Sequence, residues 1–191
     1  MSGTEGVTPF LAPLAAVQRV IAHFHNQGLI IGGVAVSLLG IPRLTADVDV
    51  VLMLSVDYLD ELMMVTRQEG LVPRITDADQ FARLNRVLLL QHEASGIHVD
   101  IALGMLPFEQ EAVERGTVYR VGTIELRLPT PEDLIILKAV AHRPKDLLDI
   151  AGIVQTHPRL DRQRIETWIR AFADALEMPS IWDDVEPILN G

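Results

Sequence analysis

The sequence predicts a mixed α/β (α+β) fold: a small mixed β-sheet backed by helices, followed by a helical C-terminal part. Three observations predict it. Segments of helical period alternate with short β-branched runs in the order helix, strand, helix, strand, helix, hairpin. Two pairs of strands are separated by short turn-forming stretches, as in hairpins. Beyond about Leu128 the pattern is helical only, which assigns residues 1–128 to a sheet-bearing core and 129–191 to helices packed on it.

In chain order, residues 1–8 read as a frayed end. Leu14, Val17, Val20, Ile21 and Phe24 recur at helical spacing, so a helix is expected over Leu14–Gln27, stopped by Gly28. Leu29–Ile31 reads as a buried strand, Gly32-Gly33 as a turn, and Val34–Leu39 as a short helix. A loop through Gly40, Pro42 and Arg43 leads to a β-branched strand over Asp47–Leu54, then an amphipathic helix over Asp57–Gln68. Val87–Gln91 and Ile97–Leu103 form a hairpin across Glu93–Gly96. Pro107–Arg115 is a short helix, and Thr117–Val121 with Glu125–Leu128 a second hairpin turning at Gly122-Thr123. Thr130 caps a helix that has Pro131 at its first position and Asp133 in its first turn, and that runs to about His142. A further helix follows Pro144, and another spans about Asp161–Leu176. The tail to Gly191 fits neither period cleanly.

Composition excludes several functions. The 191 residues contain no cysteine, so disulfides, zinc ribbons and thiol catalysis are out. The net charge of −10 argues against a broad nucleic-acid surface while leaving room for a local basic groove. Aromatic residues, at 5%, are too sparse for a base-stacking platform. The apolar stretch Leu29–Ile41 is shorter than the roughly 17–25 residues that cross a bilayer. Glu5 stands where a signal peptide would want positive charge, and the expected compartment is the cytoplasm.

The chemistry gathers in two places. Asp47 and Asp49 lie one residue apart on a strand, so both carboxylates leave the same face while Val48, Val50 and Leu52 point into a core. Two like charges that close resist ionisation unless a cation lies between them, and a hard divalent cation suits oxygen ligands. A solvated strand end gives the same pattern when the pair is read alone. Asp100, in the run His98–Ile101, joins that face if its strand is a neighbour, and three carboxylates are enough for a two-cation displacement at phosphorus. Gly32-Gly33, between strand and helix, permits close approach of phosphates to helix N–H groups. The P-loop and dinucleotide fingerprints are absent.

Together, Ile31-Gly32-Gly33 followed after thirteen residues by Asp47-Val48-Asp49-Val50, with Asp100 on a later strand, resembles the DNA polymerase beta-like nucleotidyltransferase superfamily. The string from Gly32 through Arg43-Leu44-Thr45 to Asp49 looks most like its AbiEii/AbiGii toxin-like branch. Leu128–Asp133, Lys138 and the segment Arg143–Ile150 match that branch further on. The resemblance implies a nucleotidyltransferase fold and a Mg²⁺ (or Mn²⁺) dependent transfer of NMP from an NTP to an acceptor hydroxyl, releasing pyrophosphate. It makes Asp47, Asp49 and Asp100 metal ligands and catalytic residues, with Asp100 assisting deprotonation of the acceptor. It makes Gly32, Gly33, Ser37, Arg43, Thr45 and Lys138 nucleotide contacts, and it counts Lys138 and Asp146 among the catalytic residues, Asp146 orienting Lys138 or the acceptor.

The acceptor is left open between a protein, a tRNA and a small molecule such as an antibiotic. A toxin-like role would bring an antitoxin partner, and a catalytically inactive nucleotide- or partner-binding protein is the alternative. Were RNA the acceptor, Arg43, Arg74, Arg83 and Arg86 would supply a short basic strip.

Overall fold

The computed structural model describes residues 10–191; the frayed end expected at residues 1–8 lies outside the described residues. The chain runs α1 (Leu11–His23), β1 (Gly28–Ile31), α2 (Gly32–Leu39), β2 (Asp47–Leu52), a 3-10 turn at Val56–Tyr58, α3 (Leu59–Gln68), β3 (Leu71–Pro73) and α4 (Ala78–Asn85). Then follow β4 (Val87–His92), β5 (His98–Leu103), α5 (Pro107–Arg115), β6 (Thr117–Val121) and β7 (Ile124–Leu128). Four helices complete it: α6 (Pro131–Ala141), α7 (Pro144–Thr156), α8 (Arg162–Ala175) and α9 (Ser180–Asn190).

Five strands form one sheet in the order β1-β2-β5-β4-β3; β6 and β7 pair separately, with β7 packed beside β1. Only the β2–β5 pair is parallel in the five-stranded sheet. Val48, Val50 and Leu52 of β2, Val99, Ile101 and Leu103 of β5, and Leu88 and Leu90 of β4 are buried on one face. The alternate residues Asp47, Asp49, His98 and Asp100 keep partial or full exposure on the other. The period-two pattern thus sorts acids from core as the pleat requires.

The C-terminal helices are fastened to the sheet half by a buried charge cluster and an aromatic one. Asp133 is wholly buried and accepts from Arg164 Nε (2.8 Å), Arg115 Nε (3.3 Å) and Thr130 Oγ1 (3.0 Å), tying α5, α6 and α8 together. Phe108 of α5 meets Trp168 and Phe172 of α8 edge-on at centroid distances of 5.2 and 5.5 Å, contacts worth about 0.5–1.5 kcal/mol each beyond their burial.

Several boundaries differ from the sequence expectation. Gly28 does not stop α1; the helix ends at His23, and His25 and Asn26 take the left-handed backbone (φ 55° and 59°) that reverses the chain, leaving Gly28 as the first residue of β1. Gly32 and Gly33 are the opening residues of α2 rather than a turn before it. β2 ends at Leu52, and the helix expected from Asp57 begins as the 3-10 turn. β3 and α4 have no counterpart in the sequence reading. β3 is three residues on a sheet edge, ending in Pro73, and α4 buries only Ala78 and Ala82, so neither carries a stripe to detect. The ambiguous tail is α9, whose Ile181, Trp182, Val185 and Leu189 face the core. No helix among the described residues is long and apolar enough to cross a membrane.

Candidate active site

The parallel register of β2 and β5 sets Asp49 directly beside Asp100 and Asp47 beside His98. Residues paired in register share a sheet face, so the three aspartates lie on one face at the N-terminal ends of these two strands. A cleft of about 270 Å³ opens next to them, lined by Gly33, the Arg43–Asp47 loop, Asp49, Lys138, Arg143 and Lys145. A larger open groove of about 780 Å³ lies between α1 and the β6–β7 hairpin, but its arginines are spent on Glu69 and Glu125 and it holds no carboxylate cluster.

Gly32 makes the approach of α2 to the acids feasible. Its φ is +63°, and a Cβ there would overlap the Asp49 carboxylate. A Cβ on Gly33 would run into the Thr45 side chain. Gly32→Ala is expected to lose at least about 1–2 kcal/mol from the left-handed backbone alone and to push Asp49 out of place, read as a lower Tm in thermal denaturation and as weakened Mn²⁺ binding.

The carboxylates differ in their partners. Asp47 accepts from Thr45 Oγ1 at 3.1 Å, and among the described residues neither Asp47 nor Asp49 has an ion-pair partner. Burial pushes the Asp49 carboxyl above its ordinary range, Asp47 and Asp100 push it the same way, and Lys138 and Arg143 oppose them more weakly. Asp100 is held on both oxygens by the Arg74 guanidinium.

Lys138 is buried, only 5% exposed, with Nζ 2.9 Å from Asp146 Oδ1 and 3.0 Å from Asp149 Oδ2. Arg143 also donates to Asp146, from Nε at 2.6 Å, and Arg43 donates to both Asp149 oxygens, at 2.7 and 3.0 Å. Burial alone would raise both carboxyls. The bonds to Asp146 from Arg143 and Lys138, and to Asp149 from Arg43 and Lys138, overcome it and hold both below the usual carboxylate range. The result is a charge ladder, Arg43–Asp149–Lys138–Asp146–Arg143, forming one wall of the cleft.

Ser37 stands back from the cleft: buried in α2, its hydroxyl faces the carbonyls of Gly33 and Arg43 at 2.9 and 3.0 Å and so fastens the loop to the helix. The sequence reading gave Arg143 and Lys145 no role of their own; both line the cleft, and Lys145 has no ion-pair partner among the described residues. Arg74, named there only for a basic strip, instead pairs with Asp100. The candidate basic strip is otherwise committed: Arg83 pairs with Asp60 and Asp79, and Arg86 donates to the carbonyls of Leu103, Leu54 and Gly104.

Among the described residues no three His, Cys, Asp or Glu side chains stand as a ready metal cluster. The donor chemistry still fits one hard cation at Asp47 and Asp49, an oxygen pair without a counter-ion whose mutual repulsion a cation would relieve. Asp100, while Arg74 holds it, is not available to a second.

No curated protein sequence matches the chain. The fold is that of an antigenic nucleotidyltransferase-like protein from Paracoccidioides brasiliensis, at TM-score 0.51 and 16% identity over 92% of each chain. It is equally that of the antibiotic-resistance factor ANT(2'')-Ia, at TM-score 0.54 and 18% identity over 93% of this chain and 95% of that one. Residues 12–181 match the family described as "Nucleotidyl transferase of unknown function (DUF2204)". A chain matched over nearly all of its length, with this fold and with paired aspartates beside a cationic cleft, belongs to that nucleotidyl transferase family.

Proposed function

We propose that the protein transfers an NMP from an NTP to an acceptor hydroxyl, with release of pyrophosphate, in a Mg²⁺ (or Mn²⁺) dependent reaction. The observation that carries the reading is the pair Asp47 and Asp49: half-buried, facing a cationic cleft and lacking a counter-ion among the described residues. These two would hold the cation. When bound, it neutralises triphosphate charge and polarises the phosphorus under attack.

The chain's own groups do the rest. Gly33 and the first turn of α2 offer backbone N–H groups and the positive end of a helix to phosphate oxygens. Lys138, fixed between Asp146 and Asp149, keeps Arg43 and Arg143 in place on the wall. Lys145, exposed and unpaired among the described residues, is the cation free to take a terminal phosphate. Positioning and charge neutralisation supply most of the rate.

The commitment of Arg74, Arg83 and Arg86 to internal partners favours a small-molecule or protein acceptor over tRNA. The likeness to an antibiotic-resistance factor supports an antibiotic-like acceptor. The Gly32–Asp49 and Lys138–Asp149 strings support the AbiEii/AbiGii-type reading, with a toxin role and an antitoxin partner. A second reading, a nucleotide-binding member that does not turn over, is favoured by Arg74 on Asp100.

The test is incubation with each α-³²P-labelled NTP, Mg²⁺ and cell extract or a panel of hydroxyl-bearing antibiotics. Label moving to an acceptor, with pyrophosphate released, supports transfer; NTP binding without transfer supports the second reading. Lys145→Ala is expected to raise KM for the NTP about tenfold, the loss of one charge-assisted contact, and to leave the Tm unchanged.

A further inference from the structure

Of the three acids on this sheet face, Asp100 is the one already neutralised. Arg74 lays its fork across the carboxylate, Nη1 on Oδ1 and Nη2 on Oδ2 at 3.2 Å. Its position is built into the sheet. It follows β3 directly, its backbone N–H donates to Leu89 O at 3.1 Å, and Nη1 also reaches Leu90 O at 3.3 Å. Leu89 is the register partner of Asp100, so the edge of the sheet delivers the guanidinium to that carboxylate. Both side chains are mostly buried, at 20% and 28% exposure. A forked, charge-assisted pair uses both oxygens and leaves none pointing freely toward a second ligand.

We propose that Arg74 occupies the place of a second divalent cation, so that the free protein takes one cation at Asp47 and Asp49 and admits another only when Arg74 releases Asp100. The proposal rests on the metal-dependent reading above. Asp100 stands beside Asp49 in register, and once freed it would share a cation with it. An incoming triphosphate brings both extra oxygen ligands and a negative charge that can draw Arg74 away. Second-cation entry is thereby coupled to nucleotide binding, and Arg74 is a positioning residue that keeps the site from being fully loaded without substrate.

The test uses the full chain and Mn²⁺ alone, counted by EPR without nucleotide. The wild-type protein should bind one Mn²⁺. Arg74→Gln, which retains a donor for Leu90 O, should bind two, and adding Asp100→Asn to it should remove the second. Arg74→Lys, which keeps the charge but loses the fork, should bind the second Mn²⁺ more weakly than Arg74→Gln does. Circular dichroism checks that each variant folds. A wild-type count of two overturns the proposal whatever the variants do, as does a folded Arg74→Gln that binds one, or a second site that survives Asp100→Asn. One Mn²⁺ in both wild type and Arg74→Gln overturns the gate alone. No Mn²⁺ in either overturns the gate and the metal-dependent reading together.

Discussion

Asp49→Asn is expected to abolish nucleotide transfer while making the metal-free protein more stable. Loss of a cation ligand removes several kcal/mol of transition-state charge stabilisation, a fall of about a thousandfold or more. Stability moves the other way because burial, Asp47 and Asp100 all raise the folded-state pKa of Asp49. A carboxyl raised on folding costs stability wherever it is ionised. That cost is fully present above its folded pKa and fades as pH falls toward the ordinary value of about 3.9. The gain in Tm from Asn should therefore be largest near neutral pH and vanish in acid. Added Mg²⁺ should reverse the order, since only the parent is stabilised by binding it. Paired thermal melts with EDTA and with Mg²⁺, together with the transfer assay, check all three. A variant that melts lower than the parent in EDTA would mark Asp49 as structural.

Lys138→Met is expected to be the most damaging single change to the folded state. It strips the shared cation from Asp146 and Asp149, whose side chains are 0% and 4% exposed. Breaking a buried pair costs about 3–5 kcal/mol. Arg143 and Arg43 still reach the two acids, so the lower end applies. At roughly 2–4 °C per kcal/mol for a chain of this size, a loss of about 3 kcal/mol lowers the Tm by roughly 6–12 °C. Asp146 and Asp149 have folded pKa values below the ordinary carboxylate range. Their contribution is present above about pH 4 and lost as pH falls through those folded values. Denaturant unfolding at pH 7 and pH 3 should thus show a large penalty for Lys138→Met at the first and a smaller one at the second. Combining it with Asp146→Asn should cost less than the sum of the two changes, because a neutral pair strands one charge fewer. Additive losses would show that Lys138 and Asp146 do not act as a unit.

Local chemistry made a large part of this protein legible from its residues. Asp47 and Asp49 had to share a face because side chains alternate along a strand. The Val87–Leu103 hairpin followed from two apolar-rich runs around a Gly-containing turn, and Thr130 with Pro131 marked the start of α6. The link between Lys138 and Asp146 came from the family resemblance and not from their spacing, and the structure joins them at 2.9 Å across a short helix–helix corner.

What depended on distant parts of the chain was decided only by the tertiary structure. The parallel register that sets Asp49 beside Asp100, the claim of Arg74 on Asp100, and the pairing of Arg43 with Asp149 join residues with no shared periodicity. The chain reversals at His25-Asn26, Arg86 and His142 are left-handed turns made by residues other than glycine, so no glycine marks these helix ends in the sequence. The sequence by itself determined which residues carry charge and which face of each strand they take. The tertiary structure decided which of those charges are already neutralised, because an ion pair depends on the meeting of two segments and not on the composition of either.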